Sequence, residues 1–335
     1  MLFMKYFKFY IIFISIVGLF SCSKEATVYD KPADQITPGN ETFSQIYNTS
    51  NTNLLSNIIN DIDASVNPIK IATENGLTYF DGTNWTTYST LNSSLPSDII
   101  NCVITGTAYT WIGTNTGLVR FDGNTMTIYN TSNSPIPTNK IRSLAIDNVG
   151  KLWIGTFSGG GLASFDGTTW NVYTPSNSDL PNNAVASVKA DNYGNIWVGT
   201  ANGISKFDGL NFTNYNTSNS PLPNSNVYTI NIDDTIVWIG SNGGLTKFNG
   251  STWTNYNSSN SGLPLNLVRA IVLKTSTNLT VGTEGQGIVD FNEISNTWTH
   301  YNTNNSNLPN NYINNITIAY DNKKWLSTNN GIAIQ

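Results

Sequence analysis

The chain has 335 residues, charged side chains make up only 11% of them, and the net charge is -5, so nothing in it suggests a basic surface for nucleic acid. Two cysteines, Cys22 and Cys102, permit at most one disulfide and exclude a disulfide-stapled scaffold. The length suits either two ordinary domains or one long all-β unit built from repeats.

Residues 1–21 read as a leader. Lys5 and Lys8 precede an apolar run from Phe9 to Phe20, too short for a comfortable membrane span and shaped like a secretory signal. The run ends Leu19-Phe20-Ser21-Cys22, which resembles a bacterial lipobox and makes Cys22 the expected lipidation site; an ordinary cleaved signal with an incidental cysteine is the alternative. Ser23, rather than Asp, follows the cysteine, which favours an outer-membrane lipoprotein, periplasmic or surface-exposed. Residues 22–40 are polar, contain Pro32 and Pro38 and show no apolar period, so a flexible tether is expected there.

From residue 41 to 335 one pattern recurs. Strands of the WIGT type begin at Lys70, Trp111, Trp153, Trp197, Trp238, Thr280 and Trp325, once every 41 to 45 residues. Each copy has an apolar strand, a turn with Asp or Gly, the WIGT strand, a Gly turn, a GLxxFDG strand and a WTxYN strand. Four short strands per copy predict a blade, and seven copies predict a seven-bladed β-propeller with four antiparallel strands per blade. The last copy stops before its fourth strand, and a matching stretch, residues 42–48, stands ahead of the first copy. Phe43 to Tyr47 are therefore expected to pair with the seventh blade and close the ring, which removes the open edges of a linear stack.

The GxLWIGTxxGLxxFDG pattern at Gly150–Gly167 and Gly194–Gly209 is similar to the two-component regulator propeller repeat of Bacteroidetes-type bacteria. The resemblance runs from about Phe43 to the last residue. It implies an extracytoplasmic sensor propeller, often followed by a small β domain, a membrane span and a histidine kinase; here the sequence ends with the propeller, so any kinase is expected to be a separate protein. A second resemblance, to the streptogramin lyases, implies a site built on a histidine and a metal. The one histidine, His300, sits in a predicted outer strand, far from the channel.

Repeat membership explains most of the residues that suggest chemistry. All nine tryptophans fall on second or fourth strands, where blade packing accounts for them better than sugar stacking. Asp81, Asp122, Asp166 and Asp208 stand one per blade in FDG turns, and are read as hairpin residues rather than calcium ligands. Cys102 lies on an inner strand where other copies carry Ser, Thr or Ala, as a small buried residue. No paired carboxylates, nucleophile motif, zinc spacing or phosphate loop stands out, so neither catalytic residues nor a cofactor nor a metal is expected, and the chain reads as no enzyme.

A binding site should break the repeat. Just inside the first strand the copies read Asn60, Asn101, Arg142, Ala186, Tyr228, Arg269 and Asn314, and two of the three arginines of the chain fall in this set. Arg142 and Arg269 could clamp a carboxylate or phosphate. Tyr228, Tyr312, Lys140 and Phe157 lie off the frame at or near the same mouth, and Asn60, Asn101 and Asn314 complete the candidate set. The expected function is a cell-envelope binding or scaffold module for a glycan, peptide or protein partner; the alternatives are the sensing half of a system with a separate histidine kinase, or a lyase-like enzyme.

Overall fold

The computed structural model describes residues 27–28, 36–39, 42–157 and 159–335. The expected leader and Cys22 lie outside the described residues. The described chain is all-β, with seven blades of four antiparallel strands, two of which gain a fifth strand, and no helix, hence none long and apolar enough to cross a membrane. The inner strands are Ile59–Asp63, Ile100–Thr105, Ile141–Ile146, Val185–Ala190, Val227–Asp233, Val268–Thr275 and Ile313–Ile318. Each packs against the next and the seventh against the first, which makes the ring.

Closure follows the expected route. Gln45–Tyr47 is the outer strand of blade seven, antiparallel to Gly331–Ile334, with Gln45 opposite Ile334 and Tyr47 opposite Ile332. Phe43 and Ser44 precede the strand itself; the Ser44 N–H donates to the Ile334 carbonyl at 2.8 Å and the Phe43 N–H to Asn307 Oδ1 at 2.6 Å.

The stretch expected to be a tether differs from that expectation in two places. Ile36–Pro38 pairs in parallel with the outer strand of blade six, and Thr27–Val28 with that of blade five. The physical reason is the free edge of an outer strand, whose N–H and C=O groups accept a further strand.

Between blades the core is aromatic. At the junction of blades five and six, Trp238 and Tyr256 of one blade meet Phe291 and Trp298 of the next; Phe291 stacks on Trp298 at 3.9 Å and lies 5.1 Å from Tyr256. The same four positions hold Trp111, Tyr129, Phe165 and Trp170 between blades two and three, and Trp325, Tyr47, Phe80 and Trp85 between seven and one. Glycine in the WIGT strand allows the blades this close approach: a Cβ on Gly155 would stand 2.7 Å from Val185 Cγ1 of the following blade.

Candidate ligand site at the mouth of the channel

In every blade the inner strand carries one residue too many for its partner. The register against the second strand skips residues 60, 101, 142, 186, 228, 269 and 314. Such a bulge leaves its residue out of the ladder and re-aims the side chain. The backbone thus presents one side chain per blade in a ring at one end of the channel.

Three of these are asparagines with a structural task. Asn60 Nδ2 donates to the Ile100 carbonyl at 2.8 Å, Asn101 Nδ2 to that of Ile141 at 2.8 Å, and Asn314 Nδ2 to that of Ile59 at 2.8 Å. Each staples its inner strand to the next blade. Their amides are committed to neighbours before any ligand arrives, because the same nitrogens also donate to Glu74, Asn115 and Asn329, at 3.0, 2.9 and 2.8 Å.

Those second partners belong to the loop between second and third strands of the same blade, and the pairing repeats round the ring. Tyr228 OH meets Asn242 at 3.1 Å, and Arg269 forms a charge-assisted bond and ion pair with Glu284. Ala186 is matched by Ala201. Blade three alone breaks the rule: the loop position opposite Arg142 is Phe157, an exposed ring that accepts no conventional hydrogen bond. Arg142 makes no hydrogen bond or ion pair with any described residue, although Cys102, Arg269 and Asp61 act on its charge.

Arg142, Arg269, Tyr228, Tyr312, Asn60 and Asn314 line one cavity of about 180 Å³. A deeper space of about 140 Å³ continues past Asn101 to Asp61, Cys102 and Lys189. Arg142 as a whole is exposed to the channel, while surrounding protein crowds its guanidinium. Burial, and the like charge of Arg269, hold its pKa below the usual arginine range against the pull of Cys102 and Asp61.

Arg269 is differently placed. Its guanidinium lies 4.1 Å from the centre of the Tyr228 ring, and its carboxylate partner Glu284 also accepts the Tyr312 hydroxyl at 2.7 Å. Partial burial pushes the Glu284 carboxyl up, but the hydrogen bonds of Tyr312 and Arg269, with the charge of Arg269, bring it below its ordinary value. The expected two-arginine clamp is therefore one available cation beside one neutralised cation.

Lys140 and Phe157 do not line the cavity; they are joined to each other, Phe157 N–H to Lys140 C=O, at 3.0 Å. Three charged groups at the mouth carry no sign of a site in the sequence. Glu284 and Glu74 read as ordinary loop residues, although each stands 14 or 15 residues after its bulge partner, a spacing that runs through all seven copies. Asp61 is the third: burial raises its pKa, opposed by the Val103 N–H, the Lys189 charge and Asn315.

The remaining expectations about single residues find direct counterparts. Asp166 Oδ1 accepts the N–H groups of Thr168 and Thr169 at 2.9 and 2.7 Å, and the other FDG aspartates bind their own turns likewise. Cys102 is buried, and burial pushes its thiol up. His300 lies on the outer strand Thr297–Tyr301, with Nε2 2.5 Å from the Gln286 carbonyl.

Comparison with known proteins agrees with this architecture. The profile of the two-component regulator propeller matches residues 135–158 and 179–202, in blades three and four. No curated protein matches the chain in sequence. Among solved structures, the chain is similar to the extracellular domain assigned to a hybrid two-component system of B. thetaiotaomicron, with a TM-score of 0.74 and 22% identity over 88% of this chain. It spans 42% of the length of that protein. A virginiamycin B lyase from Staphylococcus aureus gives a TM-score of 0.65 at 15% identity, covering 87% of this chain and 97% of the lyase. PorZ, described as a surface component of the type-IX secretion system of Porphyromonas gingivalis, gives 0.65 at 17% identity, covering 90% and 47%. At these identities the structural likeness establishes the fold: the chain is a seven-bladed β-propeller, and two stretches of it, in blades three and four, match the two-component regulator propeller.

Proposed function

We propose that the protein is a non-catalytic binding module of the cell envelope, anchored through lipid on Cys22 at the outer membrane, whose channel mouth takes an anionic group of a glycan, peptide or protein partner. One observation carries this reading: Arg142 is the only polar bulge residue whose loop partner has been replaced by a group unable to pair with it. The Arg142 side chain is open to the channel and has no carboxylate partner among the described residues, so its charge is held there by solvent alone. A carboxylate arriving from solution would supply the missing acceptor with bidentate geometry, while Arg269, already neutralised by Glu284, holds Tyr228 and Tyr312 as the wall.

Calorimetry of the mature chain with galacturonate, N-acetylneuraminate and an acidic tripeptide tests it. Binding by at least one of them, lost in Arg142→Ala and kept in Arg269→Ala, is the expected result. Equal binding by both variants, or none by the wild type, sinks the anion reading. Incorporation of labelled fatty acid that disappears in Cys22→Ala tests the anchor separately.

A second reading, in which the propeller passes a binding signal to a separate histidine kinase, draws on the regulator-type repeats and on the two-component neighbour. Cross-linking in membranes would recover such a kinase with the propeller.

A further inference from the structure

Among the junctions between blades, the one between six and seven stands apart. The four positions that elsewhere hold the aromatic cluster are here Thr280, Tyr301, Gln335 and Ser44. Between blades one and two the tryptophan is also missing, as Lys70, but Tyr79 moves its ring into the gap, 5.3 Å from Tyr88 and 6.1 Å from Phe121. At the sixth junction Phe43 meets Tyr301 edge to face at 6.4 Å, but its ring does not line the vacated space, and a cavity of about 470 Å³ opens there, lined by residues of both blades.

The vacated space is polar by construction. Across the strand pair where Trp197 faces Lys206 and Trp238 faces Lys247, blade six sets Thr280 opposite Asp290. Blade seven sends in Lys324, at a position held by buried Leu152 or Ile196 in other blades. Lys324 Nζ lies 2.8 and 3.1 Å from the two oxygens of Asp290 and 3.1 Å from Thr280 Oγ1. Its three donors are spent and its charge is matched, so the pair offers a ligand oriented lone pairs and a dipole, with the charge of exposed Lys274 left at the rim. Thr299, Asn278 and Asn292 add hydroxyl and amide groups to the walls.

We propose that this pocket between blades six and seven is a second ligand site, distinct from the mouth, for a neutral polyhydroxylated molecule of the size of one or two sugar rings. Its volume falls in the range of small-molecule sites. The wall groups are bonded to one another, yet their oxygens keep spare lone pairs that a sugar hydroxyl can use and an apolar ligand cannot; an anion reaching past Lys274 at the rim would meet the Asp290 carboxylate. The site does not depend on Arg142.

The test uses the mature chain and saturation-transfer NMR with glucose, galactose, mannose, N-acetylglucosamine and maltose as probes. Wild-type protein is expected to bind at least one of them, with at least a tenfold loss in Thr280→Trp, which restores the ring found in five other blades, and no change in Arg142→Ala. Thr297→Arg, at the exposed rim, provides a second block that leaves the buried network intact and decides the matter if Thr280→Trp fails to fold. Absence of binding by the wild type to all five probes overturns the proposal, as does binding that survives both substitutions.

Discussion

The junctions on either side of blade six are built from the same strands in the same register, and they have opposite contents. On the side of blade five, Trp238, Tyr256, Phe291 and Trp298 are all at most 2% exposed and pack by both stacked and edge-to-face contacts. On the side of blade seven a threonine, a glutamine and a serine stand where three of those rings would be, and an ion pair occupies the space. A propeller therefore does not need each junction to be equally filled: stability is shared among nearest neighbours, so one junction can be given over to polar groups while the other six hold the ring.

Several substitutions would break or sharpen that contrast, and calorimetric unfolding reads all but the last. The largest effect is expected for Trp238→Thr, which makes the fifth junction resemble the sixth and should cost about 3–5 kcal/mol, as loss of a buried aromatic does. A cost below about 1 kcal/mol would mean that the rings are dispensable and the contrast empty. Asp290→Ala leaves Lys324 without its partner and is expected to cost ~1–2 kcal/mol, less than a fully buried pair because the Asp290 side chain keeps 35% of its exposure.

The reverse substitution, Thr280→Trp, is expected to stabilise by about 0.5–2 kcal/mol, the usual range for filling a cavity. At the mouth, Arg142→Asn restores the amide that elsewhere reaches the next blade, here the Val185 carbonyl, and should add about 1 kcal/mol while abolishing anion binding. The smallest effect concerns a turn shared by both kinds of junction. Hydrogen bonds from the backbone of Thr169 and Thr168, and from the Thr168 hydroxyl, lower the pKa of Asp166 to about 2. Its contribution to stability is then present above the unfolded carboxylate range, near ~3.9, and lost as pH falls through about 2, which carboxyl-carbon NMR titration would follow.

The blade count, the strand order and the closing strand were legible because each rests on a local pattern repeated seven times. The mouth was half legible. Position alone picked out Arg142, Arg269 and Tyr228, but Asn60, Asn101 and Asn314 sit in the same column for a different reason, and only the bulge geometry shows that their amides reach a neighbouring blade. The partner column holding Glu74, Phe157 and Glu284 is in the sequence too, at a fixed offset, and becomes meaningful once the two are known to face each other. The pocket at the sixth junction was hidden by distance along the chain. Thr280 is a visible departure from the WIGT pattern, whereas Ser44 and Gln335 come from opposite ends and become neighbours only when the ring is closed.

That closing contact has a consequence for the order of events in folding. Ser44 and Ile334 meet although they are 290 residues apart, so the closing strand must wait until blade seven has been made. The search for so distant a partner carries the largest loop-closure entropy of any pairing among the described strands and belongs to the slow class of non-local contacts. Until it ends, blade seven lacks its outer strand and leaves the edge of Gly331–Ile334 unpaired, and that interval is when a nascent chain of this kind is most exposed to pairing with another copy of itself.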